Sequence, residues 1–288
     1  MPNQLNSGID GIEDIEDTDK IEDTDEQVII PGSLMNAELW SRASWQQYLD
    51  WDPTPTQISQ FQQLYDWVIE GNQTQNLTRI TESVDFWEKH LWDSLRPLQV
   101  LSVGVLGTGD GLGQDDHPAE PPYTVIDIGS GAGFPGIPVA IANPEWRVTL
   151  LDATQRRMQF ADMVAVKLGL VGIQVQAERA ETWGQLRREH YDLALNRALG
   201  SAVVCAELSL PMLKIGGHAL LYRGHWDLEQ ESALQRACQK LGAIIKSVDP
   251  FVTPITHGIR HGILLEKSAP TPATFPRPMG MAAKRPLA

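Results

Sequence analysis

The sequence is poor in cysteine and in long apolar runs. Its 288 residues include two cysteines, Cys205 and Cys238, whose spacing fits neither a metal site nor a redox motif. No run approaches the roughly 18 apolar residues that span a membrane, and the first residues lack the basic and apolar regions of a secretory signal. We therefore expect a cytoplasmic protein with reduced thiols and no membrane contact.

Positive charge is also scarce, since 23 Lys and Arg stand against 37 Asp and Glu, for a net charge of -14. This balance argues against a nucleic-acid partner unless the acids are segregated. They are segregated, because residues 1–34 carry the motif IEDTD twice and have few large apolar groups. Such a composition predicts a disordered acidic tail.

The end of the chain has the opposite charge, because no acid follows Glu266 while four cations do: Lys267, Arg277, Lys284 and Arg285. Residues 268–288 are therefore predicted to be a basic C-terminal tail. A phosphate contact and a solvated terminus without a specific partner are equally compatible with this charge.

Residues 36–98 have the apolar spacing of helices and are predicted to form a small N-terminal helical subdomain. Thr54 and Pro55 form a cap and first-turn pair for one helix, and a second is expected to end near Arg96 and Pro97. Residues 99–122 contain GTGDGLG and PAEPP, which predict a flexible linker. Its glycines lack the Lys-Ser/Thr ending of a P-loop.

Residues 123–267 alternate between strand and helix patterns. The predicted strands are TVIDIG, WRVTLLD, IQVQA, YDLALNR and HALLYR, and the predicted helices span residues 155–168, 202–213 and 228–241. Such alternation predicts an α/β fold with a mostly parallel, Rossmann-like sheet covered on both faces. Ligands then bind at the carboxyl ends of the strands.

A glycine-rich loop follows the first predicted strand, in the sequence DIGSGAGFPGIP from Asp127. Glycines at 129, 131, 133 and 136 permit a sharp turn and the close approach of a nucleotide-like ligand. GAGFPG also matches the dinucleotide pattern G-x-G-x-x-G, and Asp152 lies where a ribose-binding acid belongs. The motif alone leaves both kinds of ligand open.

Two features favour an adenosine ligand with a cationic amino-acid tail, such as S-adenosylmethionine. Asp127, just before the glycines, attracts an ammonium group but repels a pyrophosphate. Pro135 and Pro138 lack an N–H, which weakens the following helix start as an anion site. A turn acid at Asp127 and an ordinary strand-end acid at Asp152 remain the structural alternatives.

Five blocks of sequence carry a resemblance to a known family: NQTQNLTRI, FWEKHLWDSL, DIGSGAGFPGIP, NRALGS and APTPATFPRPMGMAAKRPL. Over residues 54–287 the chain resembles the bacterial small-subunit ribosomal RNA guanine-N7 methyltransferases, the RsmG or GidB family. The resemblance implies a Rossmann-like class I S-adenosylmethionine-dependent methyltransferase. It also implies 16S ribosomal RNA in the small ribosomal subunit as the partner, and we expect a monomer.

The resemblance also implies which residues bind the cofactor. Beside Asp127, the loop glycines Gly129, Gly131 and Gly133 and the adjacent Phe134 come from the first strand end. The later strand ends contribute Asp152, Ala153, Thr154, Ala180, Glu181 and Arg197, and Arg197 faces the reaction site as an orienting group. A helix-start acid at Glu181 and a surface ion pair at Arg197 are the alternatives.

Guanine N7 already offers an unprotonated lone pair, so methyl transfer to it requires no general base. The fourth strand carries no nucleophilic cysteine, and Cys205 is expected in the core. His90 and Asp93 have the spacing of a helix-surface pair, and a position flanking the pocket is the alternative. His257 and His261 lack a third ligand, so no metal is predicted.

Two other functions remain open at this stage. One is a methyltransferase that keeps the cofactor and acts on a small molecule or a protein. The other is a non-catalytic dinucleotide-binding module, which would bind NAD instead of S-adenosylmethionine. The basic C-terminus favours RNA, whereas the overall acidity favours a small substrate.

Overall fold

A computed structural model of the chain describes residues 38–101 and 123–287. The predicted acidic tail, and the part of the predicted linker from 102 to 122, lie outside the described residues.

The N-terminal part of the described chain is helical, as the apolar spacing predicts. Helix α2 begins at a reciprocal cap, in which Thr54 Oγ1 accepts from the N–H of Gln57 at 3.3 Å and Gln57 Oε1 accepts from the N–H of Thr54 at 2.9 Å. The helices in this part are α1 (Arg42–Leu49), α2 (Pro55–Asn72), α3 (Ser83–Phe86) and α4 (Asp93–Leu95).

The second predicted helix is not uniform. A π-helical turn at Trp87–Trp92 separates α3 from α4, and a 3₁₀ turn at Arg96–Val100 follows α4. The π turn carries two buried polar side chains, Glu88 and His90, on the same short segment as three tryptophan and leucine residues of the core. Turns of this kind are frequent at functional sites.

The sheet has seven strands in the order β3-β2-β1-β4-β5-β7-β6. All five predicted strands are present and parallel, whereas β7 runs antiparallel between β5 and β6. The strands are β1 (Thr124–Ile128), β2 (Arg147–Asp152), β3 (Ile173–Ala177), β4 (Tyr191–Arg197), β5 (Leu213–Arg223), β6 (Ala243–Val252) and β7 (Ile259–Lys267).

Helices cover both faces of this sheet. They are α5 (Gly136–Ala142), α6 (Gln155–Lys167), α7 (Ala180–Leu186), α8 (Ala202–Ser209), α9 (Leu228–Leu241) and α10 (Met281–Lys284). The predicted helix over 202–213 is therefore too long. It ends at Ser209, because Leu213 already pairs with Tyr191 as the first residue of β5.

Alternate residues of the central strands enter two separate cores. Val125 packs on the face that also receives the N-terminal helices, whereas Ile126 and Ile128 pack on the face covered by α7, α8 and α9. Cys205 is buried in the second core, as predicted. The first core includes Trp45, whose ring lies 5.0 Å from the rings of Phe61 and Trp87. In residues 38–101 and 123–287, no helix is long and apolar enough to cross a membrane.

Candidate cofactor and substrate site

The glycine loop turns away from the end of β1 through three residues with left-handed backbone. The φ angles are +77° at Gly129, +60° at Gly131 and +97° at Gly133, a region that favours glycine. A Cβ at Gly133 would lie 2.3 Å from Cδ1 of Ile137, so this glycine is required by packing. A Cβ at Gly131 would come no closer than 4.0 Å to its nearest neighbour. The loop is therefore open at Gly131.

Asp152, at the end of β2, is fixed against this loop. Its Oδ2 accepts from the N–H of Gly131 at 3.1 Å, and its Oδ1 accepts from the N–H of Thr154 at 2.8 Å. Ala153 and Thr154 are exposed beside it. The parallel pairing of β1 with β2 brings the two strand ends together, as the sequence predicts.

Asp127 lies beneath the loop with only 1% of its surface exposed. Its Oδ2 accepts from the N–H of Gly136 at 2.8 Å, and burial raises the pKa of the carboxyl to about 6. Its Oδ1 and the nearby Oγ of Ser130 are buried without a well-formed hydrogen bond among the described residues, and the Ser130 hydroxyl opposes the effect of burial on the pKa of Asp127. Such atoms are costly unless a ligand or water satisfies them, so this corner of the loop fits a donor group.

Arg197 extends from the end of β4 to the π turn. Its Nη1 donates to the carbonyl oxygen of Lys89 at 2.9 Å, and its Nη2 donates to Nδ1 of His90 at 3.2 Å. Its Nη1 also lies 3.6 Å from Oδ2 of Asp93. Arg197 is therefore mostly buried in a polar network, and the alternative of a surface ion pair is wrong.

His90 connects this network to the glycine loop. Its ring stacks on the ring of Phe134 at a centroid distance of 4.5 Å and an angle of 21°. Burial and the charge of Arg197 lower the pKa of His90 to about 3, so the ring is neutral near pH 7. Because Nδ1 accepts from Arg197, the remaining proton is on Nε2, which lies 2.8 Å from Oγ1 of Thr78.

These contacts correct one prediction and refine another. His90 and Asp93 are not a helix-surface pair, since both contact Arg197. The expected loop residue Phe134 is present at the site, but its ring is 6% exposed and packs between His90 and Phe86. The side chain of Phe134 therefore packs the glycine loop against the N-terminal helical part of the chain.

Two further carboxylates connect the site to β6 and β7. Oδ1 of Asp93 lies 3.5 Å from Nε of Arg260, and burial raises the pKa of Asp93. Glu88 accepts from the N–H groups of Ile255 and Thr256 at 2.6 and 2.8 Å. The loop between β6 and β7 is thereby attached to the π turn.

Ala180 and Glu181 open α7 after β3, at the same edge of the sheet. Oε1 of Glu181 accepts from the N–H of Gly280 at 2.8 Å, and Oε2 lies 3.5 Å from Nε of Arg179. Glu181 is thus buried against the C-terminal segment, which the sequence did not predict. In the part of the chain that the structure describes, no three His, Cys, Asp or Glu residues form a group that could hold a metal ion.

Buried acids also hold the C-terminal segment elsewhere. Glu207 is fully buried in α8 and accepts from the backbone N–H, Nε and Nη2 of Arg277 at 3.1, 2.8 and 2.5 Å. Sequence reasoning missed this pair, although a signal was present. Glu207 is the single acid in the apolar run AVVCAELSLPM, and a buried acid requires a partner.

The seven-stranded sheet, its glycine-rich loop after β1 and the acid that closes β2 define a class I S-adenosylmethionine-dependent methyltransferase. The chain belongs to the GidB family, described as rRNA small subunit methyltransferase G, whose family model matches residues 57–114 and 115–259. This confirms the resemblance seen in the five sequence blocks. It favours the methyltransferase prediction over a dinucleotide-binding module.

Similar proteins share most of the chain. The ribosomal RNA small subunit methyltransferase G of a Synechococcus strain is 51% identical over 86% of this chain and 92% of that protein. The protein of the same name from Nostoc punctiforme is 49% identical over 84% of this chain and 96% of that protein. A solved 16S rRNA (adenine(1408)-N(1))-methyltransferase from Catenulisporales acidiphilia aligns with a TM-score of 0.44 and 18% identity, over 52% of this chain and 87% of that chain.

Proposed function

We propose that the protein transfers a methyl group from S-adenosylmethionine to N7 of a guanine in 16S ribosomal RNA of the small subunit. The assignment of the cofactor rests on the glycine loop. The loop is open at Gly131, and the unpartnered Oδ1 of Asp127 lies beneath it. Membership of the GidB family supports the ribosomal acceptor.

The residues at the strand ends fit this cofactor. The ammonium group of its amino-acid part supplies the donor that Oδ1 of Asp127 lacks, and opposite charges at this depth attract strongly. Asp152, with the exposed Ala153 and Thr154, borders the ribose hydroxyls. Ala180 and Glu181 border the adenine. The carboxylate of Glu181 accepts from the N–H of Gly280, so Glu181 contributes the aliphatic stem of its side chain to this border.

The reaction requires mainly that the protein align the methyl group of the cofactor with the acceptor nitrogen. S-adenosylmethionine supplies an electrophilic methyl group, and N7 of guanine supplies a lone pair that needs no deprotonation. His90 is neutral, yet it is not available as a base, because Arg197 and Thr78 occupy its two ring nitrogens. Methylation leaves the base cationic, so Arg197 orients a carboxylate or a phosphate instead of the product base.

The proposal extends to the compartment, the oligomeric state and the metal requirement of the protein. The protein acts in the cytoplasm as a monomer on 16S ribosomal RNA, and it requires no metal. A methyltransferase for a small molecule or a protein is the competing function, since the same cofactor site would serve it.

The test is transfer of labelled methyl groups to small ribosomal subunits from cells that lack the modification. Transfer RNA and naked ribosomal RNA serve as parallel acceptors. An Arg197→Ala variant is compared with Arg147→Ala, which changes an exposed arginine at the opposite end of the parallel strands. We expect label at one guanine of the small-subunit RNA, retained in Arg147→Ala and lost in Arg197→Ala. Cofactor binding without transfer to any RNA would contradict the ribosomal proposal and favour the competing one.

A further inference from the structure

The C-terminal strap, residues 268–287, is fixed to the helices on one face of the sheet. The guanidinium and backbone of Arg277 donate three hydrogen bonds to the buried Glu207, and this interaction raises the pKa of Arg277. Arg188 donates to the carbonyl oxygens of Thr271 and Phe275 at 2.6 and 2.5 Å. Charge-assisted hydrogen bonds of this kind are geometrically specific. They therefore fix the position of the strap relative to α7 and α8.

That position is the rim of the cofactor site. Oε1 of Glu181, in the first turn of α7, accepts from Gly280 at the start of α10. Ala282 of α10 is buried in a cluster against which Ala180 and Leu199 also pack. Cδ1 of Leu199 would lie 2.6 Å from a Cβ at Gly129. Leu199 therefore packs both beside the glycine loop and against the cluster that contains Ala282 of α10.

The four cations after Glu266 divide into two kinds. Lys267 is fully buried and has two partners. Its Nζ donates to the carbonyl oxygen of Leu213 at 2.7 Å and to Oε1 of Glu189 at 3.3 Å. Arg277 is paired with Glu207. Lys284 and Arg285 are exposed, and within residues 38–101 and 123–287 their side chains have no ion-pair or hydrogen-bond partner. The two cations without an internal partner are those at the rim.

We propose that Lys284 and Arg285 bind backbone phosphates of the RNA that presents the methyl acceptor. This inference rests on the proposed function and identifies how its substrate is held. The ammonium group of Lys284 offers a point charge and the guanidinium of Arg285 a two-pronged donor, the two modes in which proteins hold phosphate. The strap thus places positive charge beside Glu181, at the edge of the proposed cofactor site, in a chain whose net charge is -14.

The test compares the double variant Lys284→Ala/Arg285→Ala with the unchanged protein. Arg147→Ala/Arg236→Ala is the matched control, because both arginines are exposed and lie outside the strap. The methyl-transfer kinetics are measured with small subunits at several salt concentrations, and S-adenosylmethionine binding is measured by calorimetry. The conservative variant Lys284→Arg keeps the charge and should behave like the unchanged protein.

We expect KM for the RNA substrate to rise about tenfold or more in the double variant, with kcat and cofactor affinity retained. The slope of log KM against log salt should fall by roughly 0.7 to 0.9 for each lost phosphate contact. An unchanged KM and salt slope, in enzyme that still transfers methyl groups, would overturn the inference. A loss of cofactor affinity instead of RNA affinity would also overturn it. Absence of transfer by every form, including the unchanged protein, would overturn the proposed function instead.

Discussion

Nη2 of Arg197 lies 3.2 Å from Nδ1 of His90, and this contact joins the end of β4 to the π turn of the N-terminal helices. The same imidazole stacks on Phe134 of the glycine loop. Three separate segments therefore meet at one neutral histidine. The helical part of the chain is thereby a component of the proposed site, since it sets the direction of the Arg197 guanidinium.

The buried state of His90 predicts a specific dependence of stability on pH. Its pKa of about 3 in the folded protein lies below the value of 6.5 expected when the chain is unfolded. As the pH falls, the unfolded state therefore takes up the proton first, and stability present above pH 6.5 is lost toward pH 3. Between pH 7 and pH 5 this group should lower the free energy of unfolding by about 2 kcal/mol.

Urea unfolding of the unchanged protein and of His90→Gln at both pH values measures this contribution. The difference between their pH dependences isolates His90 from the other titrating groups. Identical pH dependences for His90→Gln and the unchanged protein would show that His90 is not buried in its neutral form.

Asp127→Asn should affect binding and stability in opposite directions. The folded pKa of Asp127, about 6, lies above its ordinary 3.8, so at pH 7 the buried charge reduces stability. Removing the charge should therefore raise the free energy of unfolding, by on the order of 1–3 kcal/mol. Affinity for S-adenosylmethionine should fall roughly 10- to 100-fold with the lost charge-assisted hydrogen bond.

Thermal unfolding and calorimetric titration measure the two effects of Asp127→Asn separately. Asp162→Asn, at an exposed position of α6, should change neither quantity. Unchanged cofactor affinity in Asp127→Asn would mean that this carboxylate acts only as a turn acid for Gly136.

Alanine at Gly131 and alanine at Gly133 should have different consequences. Both glycines have positive φ, which costs alanine about 1–2 kcal/mol. At Gly133 the new Cβ also collides with Ile137, so loss of stability should dominate. At Gly131 the Cβ enters open space on the ligand side, so loss of cofactor affinity should dominate. Melting temperatures and calorimetric titrations of both variants test this contrast, and equal effects on affinity would contradict it.

The anchor of the C-terminal strap should be sensitive to which partner is removed. Arg277→Ala leaves Glu207 buried and uncompensated, so the free energy of unfolding should fall by about 3–5 kcal/mol. Glu207→Gln keeps a neutral acceptor for the backbone N–H of Arg277 and should cost less. Urea unfolding of the two variants checks the order, and a greater loss in Glu207→Gln would contradict it.

Much of the fold follows from local patterns in the sequence. The cap at Thr54 and the apolar strands β1 to β5 are encoded by neighbouring residues, and all are present. Strand β6 could not be predicted, because it is an edge strand that contains Asp249 and Pro250, residues depleted in strands. The end of α8 was missed because the apolar run continues through Leu213 without a change of period.

The site was predictable where it depends on one loop and hidden where it depends on packing. Glycine spacing identified the loop before the structure did, because positive φ angles require this residue type. Nothing in a three-residue spacing shows that His90 and Asp93 meet Arg197, which is 107 residues beyond His90. The π turn that directs them inward has no sequence signature in this chain.

The identity of the methylated atom can be determined directly. Small subunits labelled by the protein are digested to nucleosides, and the labelled nucleoside is identified by mass spectrometry. We predict 7-methylguanosine from one position of 16S ribosomal RNA. Label on an exocyclic nitrogen, on a ribose or on another base would contradict the assignment of guanine N7 as the acceptor.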